Sequence, residues 1–437
     1  MDAVATFTVL SLLLFAGKVL RVRLPFLQRL YLPSSVIGGL CGLAAFCALG
    51  DLVPAGIVSG MRAVPSFLIN VIFAALFLGA AVPKLRDVVR LAFPQLCLGQ
   101  IVAWGQYVVG LGLAGFFFTR WCGVPAVFGN LLEIGFEGGH GTVGGMAESF
   151  RAFGWEEGVA LGYTVATVGM IAGIVVGMAL VQWAHRRGYV KSVRTFGERS
   201  RNERIGVHEK DGRPSAGLQT VICDSVDSLA WHVAVVGVAC LVGVGLHRLI
   251  PVKGFPLFPL CMIGGVALQT LAGRLKIDLL VDRVQMERIS GAALDFLVVA
   301  AVATIRLDVV AAHGLPLAVL LAAGMLWSAG AVLFVAPRIF RDAWFERAIA
   351  EFGQATGVTA TGLLLLRTVD PETRTPAAMS FGCKQLLHEP FMGGGMWTAL
   401  ALALVYRLGW LPVFLFSLAM LAFWCVCAWV VRHRSKS

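Results

Sequence analysis

The chain has 437 residues, 58% of them hydrophobic and only 14% charged, whereas an ordinary soluble domain carries about 25% charged residues. That balance excludes a water-soluble globule, which has no way to cover so much apolar surface. The formal charge of +11 does not point to nucleic acid: the basic residues sit in short loops between apolar spans, without an aromatic-basic stripe or zinc-ligand spacing.

Apolar blocks such as Val64 to Val82 and Leu315 to Ala336 have the length of a membrane crossing, since roughly 20 residues at 1.5 Å each span a ~30 Å hydrocarbon layer. The runs predict spanning helices near 2–20, 34–53, 64–82, 91–118 and 158–183. The first lacks the basic flank of a cleaved signal peptide and is expected to remain as a helix. A polar stretch follows at 184–228, from His185-Arg186-Arg187 to Arg213-Pro214-Ser215, and reads as a basic cytoplasmic linker. Further spans are expected near 229–249, 255–273, 290–306, 315–337, 388–406 and 411–431. Cys41, Cys47, Cys97, Cys240 and Cys261 lie inside these spans and read as packing residues.

Two other segments, 124–150 and 348–367, are apolar but interrupted by Gly and polar residues. They predict re-entrant hairpins, because non-helical backbone at membrane depth is tolerated only where it is buried in protein or lines a cavity. With the N-terminus outside, Lys18, Arg21, Arg23, Arg29, Lys84, Arg86, Arg90, the linker's basic residues and the tail Arg432-His433-Arg434-Ser435-Lys436 fall inside. Arg62, Arg120, Arg151, Arg248, Lys253, Arg306 and Arg407 then fall outside. The positive-inside rule therefore gives a multi-pass protein of the cytoplasmic (inner) membrane with its C-terminus inside.

The halves resemble each other. Pro33 followed by Ile37-Gly38-Gly39-Leu40 returns as Pro259 followed by Ile263-Gly264-Gly265-Val266. Arg86-Asp87-Val88-Val89 returns loosely as Arg306-Leu307-Asp308-Val309-Val310, and Phe136, Gly141 and Gly145 sit opposite Phe352, Gly357 and Thr361. Five crossings per half is odd, so the second half must be inverted. The expected fold is an all-α integral membrane protein of two inverted repeats, each five transmembrane helices plus one re-entrant hairpin, with an extra C-terminal helix. The first repeat covers 1–183 and the second 229–406; 407–437 holds the extra helix and basic tail. Inverted repeats with discontinuous helices are the architecture of secondary transporters.

The first hairpin is dense in glycine: Gly129, Gly135, Gly138, Gly139, Gly141, Gly144 and Gly145. Each weakens a helix by roughly 1 kcal/mol relative to Ala, so the tip from Gly138 to Thr142 is expected to unwind. Freed N–H groups can meet a carboxylate and freed carbonyls a hard cation; close helix packing is the alternative use of such glycines. Glu133, Glu137, His140 and Glu148 lie among them, and ionisable groups inside a membrane usually mark a pathway. Glu133 and Glu137, four apart, can bind a coupling cation, accept a proton or pair with a buried base. His140 is either a ligand or a hydrogen-bonded strut. In the second hairpin Gln354, Thr356, Gly357, Thr359 and Thr361 offer oxygens of the kind hard cations prefer, though Thr hydroxyls also bond back to their own helix. Arg367 can meet a substrate carboxylate, and snorkelling to the interface is the simpler reading. No nucleophile elbow, Walker A loop or H-E-x-x-H pattern occurs, which argues against an enzyme or ATP-driven pump and for a gradient-driven carrier.

The Gly138-Gly139-His140-Gly141-Thr142 string, the Pro33…Gly38-Gly39 helix and the Thr-Gly-rich second hairpin resemble the bacterial sodium:glutamate symporters over about 1 to 406. The resemblance implies Na⁺-driven glutamate uptake by a homodimer in which a transport domain makes an elevator motion past a scaffold. Departures are Gly357-Val358-Thr359-Ala360-Thr361-Gly362 in place of a Gly-Ala-Thr-Pro-Thr-Ala-like stretch, and Glu133 and Glu137 where better-known members have small hydroxyl residues. The Leu363 to Pro371 segment and the extra helix also differ.

The site expected for substrate comprises Gly139, His140, Gly141, Thr142, Gln354, Thr356 and Gly357; the ion site comprises Glu133, Glu137, Thr359 and Thr361. No resident cofactor or metal is expected beyond transported Na⁺, and the partners are glutamate or a similar small carboxylate, Na⁺, the bilayer and a second copy. The rival readings are a proton-coupled carrier of another organic anion, and a channel or sensory membrane protein.

Overall fold

The computed structural model describes residues 2–80, 85–190, 196–198, 200–209, 212–249 and 254–434. Lys84, Lys191, Arg194, Arg199, Lys210, Lys253 and Lys436 of the charge reading, and the end of the run at Val82, lie outside them. The fold is 81% helix without strands among the described residues, and nine of those helices are long and apolar enough to cross a membrane.

The first part of the chain forms α1 (Asp2–Arg23), α2 (Ser34–Leu49), α3 (Ala55–Ala75) and α4 (Leu85–Leu113), the last running on through a π turn to Trp121. Then come the short helices α5 (Leu131–Phe136) and α6 (Gly139–Gly145), followed by α7 (Glu157–Arg186). Beyond the linker lie α8 (Ser228–Leu249), α9 (Phe258–Leu275), α10 (Arg283–Ala303) and α11 (Gly314–Gly330), which continues through another π turn to Ile339. The chain closes with α12 (Trp344–Val369), α13 (Ala377–His388), α14 (Met396–Leu408) and α15 (Trp410–Arg434).

Most helices fall on the apolar runs; the third helix and the last run before the C-terminal helix depart furthest from them. The third helix starts at Ala55 rather than near 64, because Pro54 has the fixed φ of a helix entry and Pro65 is accommodated inside. It stops early because Gly79 turns with φ +68 and Arg283 Nη1 donates to the orphan carbonyl of Leu76 at 2.6 Å, satisfying an end that a longer helix would not have. The run expected at 388–406 is instead the end of α13, a turn and α14. Gly393 and Gly394 adopt φ +64 and +107, a left-handed region that favours glycine and breaks the helix. The remaining α14 has 13 residues, about 20 Å at 1.5 Å each, too short to span.

Glycines let the helices close up in a reciprocal pattern. Gly38 of α2 leaves no room for a Cβ against the Leu13 backbone of α1, and Gly264 of α9 leaves none against Ala239 of α8. The adjacent Gly39 packs on Val302 of α10, while Gly265 packs on the Ala74 backbone of α3. Each GlyGly pair therefore packs with one residue on the preceding helix and with the other on a helix distant in the chain.

Two buried apolar clusters hold the broken segments. One packs Phe128, Leu131, Phe136, Val143, Phe258 and Leu297 around α5 and α6. The other packs Leu98, Ile101, Phe345, Phe352, Leu365 and Phe381 around α12. The extra helix α15 is integral to this packing: the Phe416 ring lies 5.6 Å from Trp104 of α4 and 5.0 Å from Trp397 of α14. Phe7 and Phe15 on α1, Leu241 on α8 and Trp429 on α15 remain exposed, as expected of helices facing lipid.

Candidate functional site

The first interruption falls between α5 and α6. The Glu133 carbonyl accepts from both Glu137 N–H and Gly138 N–H at 3.1 Å, and Gly139 then adopts φ +68. The break is narrower than the glycine density suggests, since Gly139–Gly145 is helical again. The second interruption is sharper. Gly357 (φ −159, ψ 38) and Val358 (φ 61, ψ 173) leave the helical region inside α12. There the chain doubles back: a Cβ on Gly353 would lie 2.6 Å from the Gly362 Cα, although nine residues of straight helix would separate the two by about 13 Å. The two breaks touch, for a Cβ on Gly139 would come within 2.5 Å of Val358 Cγ1.

Buried polar groups surround this contact. Glu133 is fully buried; its Oε2 accepts from the Tyr107 hydroxyl at 2.6 Å. Its Oε1 accepts from the Thr398 hydroxyl at 2.7 Å and from Gly393 N–H at 2.9 Å. Charge-assisted bonds of this kind are about twice as strong as neutral ones. Glu137 is less well served. Its Oε2 lies 3.2 Å from His388 Nε2, and its Oε1 has no hydrogen-bond partner among the described residues. The Gln100 amide donates to His388 Nδ1 at 3.2 Å while its oxygen accepts from Trp104 Nε1 at 2.9 Å. Gln100 thus leaves the Nε2–H of a neutral ring facing Glu137.

On the second side, the Thr359 hydroxyl donates to Glu389 Oε1 at 2.7 Å, and the same oxygen accepts from Gln385 at 3.1 Å. The Lys384 ammonium donates to Gln354 Oε1 at 3.0 Å. Gln354 thus faces α13, and Thr361 is buried beside Gly357.

Other residues expected at the site are placed differently. His140 Nε2 is 2.9 Å from the Thr167 hydroxyl, which itself donates to the Tyr163 carbonyl; the ring is a strut onto α7. The Thr142 and Thr356 hydroxyls donate to the carbonyls of Gly138 and Phe352, four residues back, at 2.9 and 2.8 Å. Gly141 packs against Ile69 and Leu297. Glu148 and Arg367 are exposed. A separate pocket of about 120 Å³ is lined by Arg62, Arg151 and Arg306, with the buried Tyr163 among its walls.

The sequence reading missed Tyr107, Glu351, Lys384, His388, Glu389 and Thr398. The side chain of Lys384 is wholly buried and paired with Glu351. The available signal was the spacing of Lys384, Gln385, His388 and Glu389: a polar stripe on a short helix before a Gly-Gly-Gly turn, where a spanning helix should be apolar.

Membrane-length helices, two broken segments in contact and buried carboxylates around that contact define a multi-pass membrane protein of the transporter class. The chain belongs to the sodium/glutamate symporter family, whose model matches residues 1–353. The family's general activity is symport of sodium and glutamate. No curated protein matches the chain. The family match ends four residues before the break at Gly357, so α13, α14 and α15 lie beyond it.

Proposed function

We propose that this protein is a secondary active symporter that imports glutamate, or a similarly small carboxylate, together with Na⁺ across the cytoplasmic membrane. The observation that carries the reading is the contact of Gly139 with Val358, which brings two broken helices from distant parts of the chain to one point lined by Glu133 and Glu137. Broken helices at such a point expose main-chain dipoles to both an anion and a cation. In this reading the main chain at Gly139 and Gly357 and the Gln354 amide receive the substrate carboxylates. Glu137, Thr359 and Thr361 supply oxygens to Na⁺, and Glu133 positions the first break. The halves are inverted repeats, a view supported by the reciprocal Gly39 and Gly265 contacts. The unit carrying both breaks moves as an elevator against a homodimeric scaffold.

The test is uptake of radiolabelled L-glutamate into proteoliposomes under an inward Na⁺ gradient, with K⁺ and pH gradients as controls. Sodium-dependent accumulation is expected. Accumulation driven by a pH gradient alone would replace Na⁺ with H⁺. That second reading has its own support in Glu137, whose buried Oε1 has no hydrogen-bond partner among the described residues and whose Oε2 faces His388. No accumulation under any gradient would reject glutamate as cargo.

A further inference from the structure

Among the buried charged groups that the proposed function leaves unused is Lys384. Lys384 on α13 is fully buried and its Nζ is surrounded by acceptors: Glu351 Oε1 at 2.9 Å, Gln354 Oε1 at 3.0 Å and Gln385 Oε1 at 3.1 Å. The fourth side is the Phe381 ring, its centroid 5.9 Å from Nζ. Gly99 of α4 closes the cage, where a Cβ would fall 2.7 Å from Nζ and 2.9 Å from Glu351 Oε2. The cage holds more acceptor capacity than the ammonium uses, because Glu351, itself 1% exposed, has no aligned hydrogen bond on either oxygen among the described residues.

A monovalent positive charge held by one carboxylate and two amide oxygens in a buried pocket is chemically what a bound Na⁺ would be, since hard cations select carboxylate and carbonyl oxygens. The pocket also belongs to the site: Gln354 precedes the Gly357 break by one helical turn, and Gln385 bonds Glu389, the partner of Thr359.

We propose that Lys384 is a tethered coupling cation: its ammonium permanently fills an oxygen cage that would otherwise take a Na⁺ ion, so this carrier needs one fewer free Na⁺ per cycle. The proposal rests on the Na⁺-coupled reading and deepens it. Glu351 is neutralised from within the chain, and transported cations are left to the first break, where Glu137 faces the neutral ring of His388 and its Oε1 has no hydrogen-bond partner among the described residues.

The test compares purified wild type, K384M and the double variant E351Q/K384M. Thermal unfolding is followed in NaCl, KCl and choline chloride without substrate, and Na⁺ dependence of uptake is measured in proteoliposomes. K384M opens the cage beside an uncompensated carboxylate. It is expected to be destabilised in choline and recovered specifically by Na⁺, with a midpoint shift at least roughly twice that of wild type, as ligand linkage requires of a newly opened site. Its uptake should depend on Na⁺ with a Hill coefficient higher by about one. E351Q/K384M carries no charge to attract the ion and should return to the wild-type Na⁺ response. Equal Na⁺ shifts in wild type and K384M would overturn the proposal. So would a K384M that stays unfolded in NaCl while the double variant folds, or failure of both to fold in every salt, since each outcome makes the pair purely structural. The wild type's own Na⁺ response tests the coupled-carrier reading separately: it can be absent while K384M still gains one, or present while K384M gains nothing.

Discussion

The two broken segments meet at one point but are stabilised in different ways. At the first, the left-handed turn falls on Gly139, a residue that adopts φ > 0 without a Cβ penalty. The carboxylate beside it, Glu133, is held by three neutral donors. At the second, φ 61 and ψ 173 fall on Val358, a β-branched residue in a region otherwise left to glycine, at a cost of about 1–3 kcal/mol. Its neighbourhood is charged, with Lys384 against Glu351 and Thr359 against Glu389. The first break derives its shape from its own backbone; the second is imposed by what surrounds it.

The largest effect should come from breaking the contact between them. G139A combines a strained φ with a Cβ directed at Val358 Cγ1. Uptake is expected to fall by at least about two orders of magnitude, in keeping with what small misplacements at a site can do. The double variant G139A/V358G removes the opposing side chain and should recover part of that loss. Uptake per unit of membrane-inserted protein checks both. Near-wild-type uptake by G139A would mean that the two breaks need not touch during transport.

A smaller effect separates the two carboxylates. E133A strands the Tyr107 and Thr398 hydroxyls and the Gly393 N–H, and each buried unsatisfied group costs about 1–3 kcal/mol. It should therefore act on stability, visible as a lowered unfolding midpoint in detergent. E137Q loses the charge of a carboxylate that, among the described residues, faces His388 with one oxygen and has no hydrogen-bond partner on the other. It should unfold near the wild-type midpoint while its uptake loses much of its ion dependence. The reverse pattern, a stable E133A and an unstable E137Q, would exchange the roles assigned to these residues.

The contrast also explains what the sequence could and could not disclose. Gly129 to Gly145 is conspicuous because glycine density in an apolar run has few structural uses, and both Glu133 and Glu137 stand inside it. Val358 carries no such mark: its strain arises from Gly353 packing against Gly362, a tertiary fact. Lys384 and Glu351 lie 33 positions apart in sequence, and a lysine outside an obvious apolar run reads as a loop charge until α13 is seen buried against α4 and α12. The hydroxyls of Thr142 and Thr356 had the right chemistry, but their bonds to Gly138 and Phe352 are local choices that residue type leaves open. Helix positions were legible because hydrophobic length is a direct response to bilayer thickness. The 388–406 run misled because its apolar total concealed three consecutive glycines.

The smallest effect expected concerns the strained residue alone. V358G places glycine where the backbone already adopts a glycine conformation, relieving about 1–3 kcal/mol against roughly 0.5–1 kcal/mol for the added freedom of the unfolded chain. Val358 is only part-buried, so little packing is lost, and a net gain of about 1 kcal/mol should raise the unfolding midpoint by a few degrees. Transport should nevertheless slow, by roughly two- to fivefold, if strain at this break lowers the barrier for the second segment to leave the first. Stabilisation together with slower uptake would make the second break the moving partner and the glycine-built first break its fixed seat. Stabilisation with unchanged uptake would make the strain incidental to packing Gly353 on Gly362. Destabilisation would mean that the Val358 side chain, through its contact with Gly139, contributes more than its backbone costs, and that the two breaks hold each other in place.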